Sequence, residues 1–229
     1  MGGGYVRLKH TLAELALAVI VHRRRSRTAA ALLAYAGQSR GGSPVPAEFL
    51  AGAAGMPVSR VRRTLMRTGL FTAAKDGASI ALATPFQPHA AYFCRQVTRL
   101  AEARRLLETP APRGTSREVW RGAALFNAGL YFECHEYLED VWRRAQEPDR
   151  TFYHGLVQAA AGCYHLEKGN AHGAEVLIEK AAGKLRPYGP AYHGLDVAGV
   201  LAGLRRVLED LPADLSTAPR NIPVLWKMA

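Results

Sequence analysis

Residues 131–140 read YFECHEYLED, and the side chains in this stretch are of kinds that do chemistry. Glu133 and Glu136 flank His135, and Glu139 follows one helical turn after the histidine. On a helix His135 and Glu139 stack four residues apart, with Glu136 slightly further round and Glu133 and Asp140 expected to face water. The following segment carries its own polar stripe, His154, Gln158 and His165, in an otherwise small and apolar stretch. If the two segments pack as antiparallel helices, His135, Glu139, Gln158 and His165 converge.

Three chemistries fit such a group. The first is a hydrogen-bonded network that fixes helix register, with Asn127 supporting the inter-helix turn; an unsatisfied buried polar group costs about 1–3 kcal/mol. The second is a metal site built from His135, Glu139 and His165, a chemically sound ligand set. The third is a small-effector pocket lined by Tyr131, Trp142 and Tyr164 and oriented by the same network. HEYLE is neither the two-histidine zinc protease motif nor the Glu-x-x-His repeat of di-iron bundles. With no Gly-rich phosphate loop and no nucleophile elbow, the sequence names no catalytic residue, metal ligand set or cofactor, and the structural network leads.

The elements that position these residues are helical. From Arg117 onward, REVWRGAALFNAG, YFECHEYLEDVWRRA, RTFYHGLVQAAAGCYHLEKGN, AHGAEVLIEKAAGKLRPYGP and HGLDVAGVLAGLRRVLEDL read as five helices joined by short turns, with no strand signal. Gly129 and Gly169 each precede by five positions a small residue, Cys134 and Ala174, a pattern that lets paired helices approach as in tetratricopeptide hairpins.

The charge is divided unevenly. Of 229 residues, the first 90 hold 12 Lys/Arg against 3 Asp/Glu, while the remainder hold 18 against 16. A basic N-terminal module next to a nearly neutral one points to a polyanion as the first module's partner. The longest apolar run, LALAVIV (15–21), is too short to span a bilayer. Three cysteines fit no metal spacing or disulfide framework, so the expected setting is the cytoplasm, without membrane attachment.

Within the basic module, helical patterns run from Thr11 and from a capping Ser26, then through VPAEFLAGAAG and VSRVRRTLMRTG. After Gly69 the period becomes two, and LFTAAK and ASIALA alternate about Asp76-Gly77, a hairpin signal. Val58, Val61 and Leu65 share the inner face of the last helix, while Arg60, Arg63 and Arg67 share another, with Ser59 and Thr64 close by. Across residues 26–84 this order resembles a winged helix-turn-helix, which implies DNA contacts from Ser59, Arg60, Arg63, Thr64, Arg67 and, on the wing, Lys75. The run His22–Arg25 would add backbone contacts.

A helix over 88–108 leads to the breaker TPAPRGTS. The expected organisation is a winged helix-turn-helix domain at 1–87, a connecting helix and linker at 88–116, an all-helical domain at 117–211 and a tail at 212–229. A flanking helix that pairs with a second copy would make a homodimer. The ordered segments LFNAGLYFECHEYLEDVWRRA, RTFYHGLVQAAAGCYHLEKGN and GAEVLIEKAAGKL resemble the bacterial and archaeal family catalogued as domain of unknown function 309, over about 117–188. That resemblance implies a small helical domain and leaves its chemistry open. The fold class expected is mainly α, with one small β-hairpin in the N-terminal module and an array of about five helices after it. The function expected is that of a DNA-binding transcriptional regulator rather than an enzyme, its effector unknown. The alternatives are a metal-binding or hydrolytic helical domain with a docking winged helix, and a protein-interaction scaffold. The polar set carried forward is Asn127, His135, Glu136, Glu139, Trp142, His154, Gln158 and His165.

Overall fold

The computed structural model describes residues 3–22, 26–211 and 226–229. The chain divides into two compact units, Met1–Arg104 and Arg105–Ala229. It is mainly helical with a few short strands. No described helix is long and apolar enough to cross a membrane.

In the first unit the elements are α1 (Gly3–Val21), α2 (Ser26–Gln38), β1 (Val45–Pro46), α3 (Ala47–Ala54), α4 (Val58–Met66), β2 (Phe71–Ala73) and β3 (Ser79–Leu82). A 3-10 turn over Thr84–His89 leads into α5 (Ala90–Leu106). The strands form an antiparallel sheet ordered β1-β3-β2, with Val45 opposite Ile80 and Phe71 opposite Leu82. Each helix contributes one apolar stripe to a shared core: Leu8 and Leu12, Leu32 and Tyr35, Leu50, Val61 and Leu65, and Phe93 and Val97. Tyr35 is the hub. Its ring meets Phe71 and Phe93 edge-on at 4.9 and 5.8 Å. Its hydroxyl donates to the Gly42 carbonyl at 2.9 Å and accepts from the Leu82 N–H at 2.7 Å.

Several boundaries differ from the sequence reading. α1 begins by Gly3 rather than at Thr11, because Leu8 extends the buried stripe one turn back. Val45–Pro46 is a strand, too short to show periodicity. The hairpin does not turn on Asp76-Gly77 alone; its loop runs from Ala74 to Ala78, with Gly77 at φ 65°. The expected helix over 88–108 starts at Ala90, after the 3-10 turn, and ends at Leu106. Arg23–Arg25 lie outside the described residues, so their expected contacts are not placed.

The second unit contains α6 (Arg117–Asn127), α7 (Tyr131–Arg144), α8 (Asp149–Glu167), α9 (Ala171–Leu185) and α10 (Val197–Glu209). Side-chain caps open three of them: Ser116 accepts from Val119 N–H, Asn170 from Gly173 N–H and Asp196 from Gly199 N–H. Gly129 and Gly169 hold the turns before α7 and α9 at φ 77° and 72°, a conformation that favours glycine. Contrary to the strand-free reading, β4 (Ala191–Tyr192) and β5 (Leu195–Asp196) form a hairpin about His193-Gly194. α9 therefore stops at Leu185 and α10 starts only at Val197.

The two helix crossings rest on small residues. Cys134 is fully buried, and its thiol donates to the Gly122 carbonyl on α6 at 3.4 Å. α8 meets α9 so closely that a Cβ on Gly155 would lie 2.8 Å from Leu185 Cγ, and one on Gly162 2.7 Å from Ile178 Cγ1.

Of the tail expected at 212–229, the described residues 226–229 lie against the core. Trp226 is 1% exposed and stacks on Phe126 at 4.3 Å and 13°. Its backbone N–H donates to Asn127 Oδ1 at 2.9 Å, and Asn127 Nδ2 donates back to its carbonyl at 3.1 Å. Asp196 N–H then bonds the Lys227 carbonyl, and Ala229 N–H bonds the Gly194 carbonyl, both at 2.9 Å. Leu195 and Met228 form a single antiparallel bridge between these residues and β5.

Gly162→Val is expected to destabilise the chain by about 1–3 kcal/mol in urea unfolding, since the new methyls overpack Ile178. Gly183→Ala, on α9 with nothing within 4 Å of its Cβ position, is the control and should gain about 0.5–1 kcal/mol from helix propensity. Trp226→Ala is expected to cost about 3–5 kcal/mol in the same measurement, the value of emptying a large aromatic site.

Candidate functional site

α4 follows Pro57, whose missing N–H costs nothing ahead of a first turn. Val61 and Leu65 are fully buried, which turns the opposite face outward. Ser59, Arg60, Arg63 and Arg67 are exposed, and Thr64 is half-buried. Lys75 is exposed on the β2–β3 loop.

Arg62, which the face analysis passed over, is half-buried. Its Nη2 donates to the carbonyls of Gly77 and Ala78 at 2.7 and 2.6 Å. The loop is also held from within: the Asp76 carboxylate accepts from the Ser79 hydroxyl at 2.6 Å and from the N–H groups of Ala78 and Ser79 at 2.9 Å. The Ser79 hydroxyl bond, chiefly, holds the Asp76 carboxyl below its ordinary range.

The polar set of the second unit does not converge as expected. His135 Nδ1 lies 3.3 Å from Glu136 Oε1, and its Nε2 lies 3.9 Å from Glu139 Oε2. Gln158 instead turns toward α9, where Lys184 Nζ donates to its Oε1 at 3.0 Å. His165 Nδ1 meets Asn170 Nδ2 at 2.9 Å, in the turn before α9. Two residues of the α8 stripe, Gln158 and His165, thus serve the α8–α9 pair. Glu133 corrects the reading further: it is 1% exposed, not turned to water.

Among the described residues, His135, Glu136 and Glu139 form the group whose potential ligand atoms lie within 4.8 Å of one another. Glu136 therefore takes the place that the sequence reading gave to His165. All three donors come from one helix face, so water would have to complete the shell of any cation. Arg143 Nη2, 2.6 Å from Glu139 Oε1, competes for one of them.

The pocket expected among Tyr131, Trp142 and Tyr164 is not assembled as drawn. Tyr131 and Trp142 are about 16 Å apart along α7 at 1.5 Å per residue. Tyr131 packs edge-on against Phe126, and Tyr164 lies tilted against Phe132. Trp142 stacks on His154 at 4.4 Å and 24°, with the Arg150 guanidinium 5.5 Å from its ring centre. Burial, then Lys184 and Arg150, push His154 below the ordinary imidazole value. Among the described residues, the Asn127 amide is given to the Trp226 backbone rather than to the turn before α7.

A cluster missed from sequence joins the β4–β5 hairpin to the start of α8. Asp149 Oδ1 accepts from the Tyr192 hydroxyl at 2.6 Å and lies 2.9 Å from His193 Nε2. His193 has φ 48°, an unusual value for a residue with a side chain. The Tyr192 bond, then the histidine, hold Asp149 below its ordinary range, and Asp149 pushes Tyr192 up to about 12. No sequence signal marks this cluster, because Asp149 and His193 are 44 positions apart. No cysteine is placed for thiolate chemistry in this unit: Cys134 and Cys163 are fully buried, and burial pushes both thiols up.

Residues 119–177 match the family described as Domain of unknown function (DUF309). The match spans most of α6, all of α7 and α8, and the first turns of α9. The chain is also 33% identical over 84 residues to the uncharacterized protein YpuF of Bacillus subtilis (strain 168), covering 35% of this chain. The chain spans about half the length of this curated relative, 48%.

The Asp149 tie fixes the sign of a pH effect. A lowered folded value contributes stability that is full above the unfolded carboxylate value, about 3.9, and is lost as pH falls through the folded one. Asp149→Asn should therefore melt below wild type at neutral pH, with the gap closing on acidification below about pH 4. Thermal melts of both proteins across that range check it.

Proposed function

We propose that the chain binds double-stranded DNA through its first unit, used as a winged helix-turn-helix, and acts as a transcriptional regulator. In this reading α3 and α4 are the helix-turn-helix, α4 is the helix that enters the major groove, and β2–β3 is the wing. The second unit senses a small molecule or mediates association. The observation that carries the reading is the division of α4 into a buried Val61/Leu65 face and an exposed face bearing Arg60, Arg63 and Arg67.

Three further features support it. α4 belongs to the part of the chain with 12 Lys/Arg against 3 Asp/Glu. Exposed guanidinium groups neutralise phosphates and bond guanine edges bidentately. α3 joins α4 through Gly55 in the left-handed conformation at φ 58° and through Pro57, a tight connection that presents α4 without a long loop in the way.

The test is fluorescence anisotropy on a random-sequence duplex over a salt series. Wild-type affinity is expected to fall with salt, with a log–log slope of about −0.9 for each phosphate contacted. Arg60→Ala/Arg63→Ala/Arg67→Ala is expected to flatten the slope by up to about 3 units and weaken binding at least about tenfold. A flat wild-type response, or a triple variant that binds like wild type, overturns the reading.

A further inference from the structure

We infer that Arg62 is the positioning residue that ties the β2–β3 loop to α4, so that Lys75 and the exposed arginines of α4 meet one duplex as a single rigid surface. The inference rests on the DNA reading and assigns Arg62 a different job from its neighbours.

Four arginines lie on or at the end of α4, and three of them are exposed: Arg60, Arg63 and Arg67. Arg62 is half-buried, and both N–H groups of its Nη2 are engaged by consecutive loop carbonyls, Gly77 at 2.7 Å and Ala78 at 2.6 Å. Charge-assisted bonds of this length are among the stronger ones a protein makes. Among the described residues, these are the hydrogen bonds that pass from α4 to the loop.

The loop does not need Arg62 to keep its own shape. Asp76 caps it through Ala78 and Ser79, Ala74 N–H bonds the Ser79 carbonyl at 3.0 Å, and Gly77 N–H bonds the Ala74 carbonyl at 3.0 Å. What these local bonds leave unset is the angle between the hairpin and α4. β3 pairs with β2 over three positions and with β1 over two, and the Ala78 carbonyl also accepts from the Ala47 N–H at 3.1 Å, but none of these bonds comes from α4. Arg62 sets that angle at the far end of the hairpin, next to Lys75. Both bonds come from the one Nη2, so an ammonium, with three donors on a shorter stem, can replace them only in part.

A positioning role and a direct phosphate contact predict different behaviour. If Arg62 acts through the loop, Arg62→Ala weakens duplex binding by about three- to tenfold through the loss of the Lys75 contact. Its effect then overlaps with that of Lys75→Ala: the double variant binds about as well as either single one, and each single salt slope falls by about 1. Arg62→Lys recovers part of the loss. Hydrogen exchange without DNA should show faster exchange at Gly77–Ser79 in Arg62→Ala, while the amides of α4 remain protected.

Equilibrium anisotropy on the full chain for these four variants, with exchange and circular dichroism on the same samples, reads all of this. If Arg62→Ala and Lys75→Ala add fully, and the double variant loses a slope of about 2, then Arg62 touches phosphate itself and the inference is overturned while the DNA reading stands. Unchanged exchange at Gly77–Ser79 overturns it equally. A wild type that binds no duplex overturns both. Should Arg62→Ala fail to fold, Arg62→Lys and Arg62→Gln carry the same cycle.

Discussion

α8 can be the central helix of the second unit because it is smooth on the side that meets α9. Hydrogen at positions 155 and 162 lets Leu185 and Ile178 occupy the space that side chains would fill. The other side of α8 packs on α7, and α7 on α6 through the Cys134–Gly122 contact. A helix packed on two sides leaves few positions for polar groups. This explains why His135, Gln158 and His165 are edge residues paired locally rather than members of one buried network, Glu133 being the buried exception. His135 keeps to Glu136 and Glu139, and Gln158 to Lys184. Dispersion summed over such close backbones offsets the missing apolar volume of two glycines.

The first unit solves a similar problem with an aromatic instead of a void. Tyr35 reaches from α2 into the sheet, and its hydroxyl serves both Gly42 and Leu82. One side chain therefore fixes the loop before β1 and the strand that lies between β1 and β2. With the sheet held there, α4 needs no polar residue on its inner face, and its arginines are left for the outside.

Much of this was legible in the chain. The helices of the second unit follow from 3.6-residue periodicity, and the turn glycines at 129 and 169 mark the hairpins whose crossings Cys134 and Ala174 then occupy, both fully buried. The hairpin after Gly69 and the inner and outer faces of α4 were equally readable. Strands of two residues were not, since no pattern of period two can be seen in Val45–Pro46 or Leu195–Asp196. Glu133 misled a helical-wheel reading because it sits in the first turn of α7, where the positive end of the helix dipole favours a carboxylate. His165 and Glu139 were joined on paper by an assumed facing of two helices, and only the true rotation of α8 toward α9 separates them. Arg62 went unread because it lies off the Arg60/Arg63/Arg67 face and its carbonyl partners are 15 and 16 positions away.

The seat of Trp226 has a consequence for how the second unit comes into being. Its partner Asn127 lies 99 positions earlier, so the contact that closes the core is among the most distant in the chain. During synthesis from the N-terminus, α6 to α10 emerge before the indole that covers Phe126 exists. Until then the Phe126 ring lacks its stacked neighbour and β5 its bridge to Met228. Contacts of such long separation form slowly because the intervening chain must first be ordered. The seat around Phe126 can therefore be filled only once residue 226 has been made, however early the helices before it form.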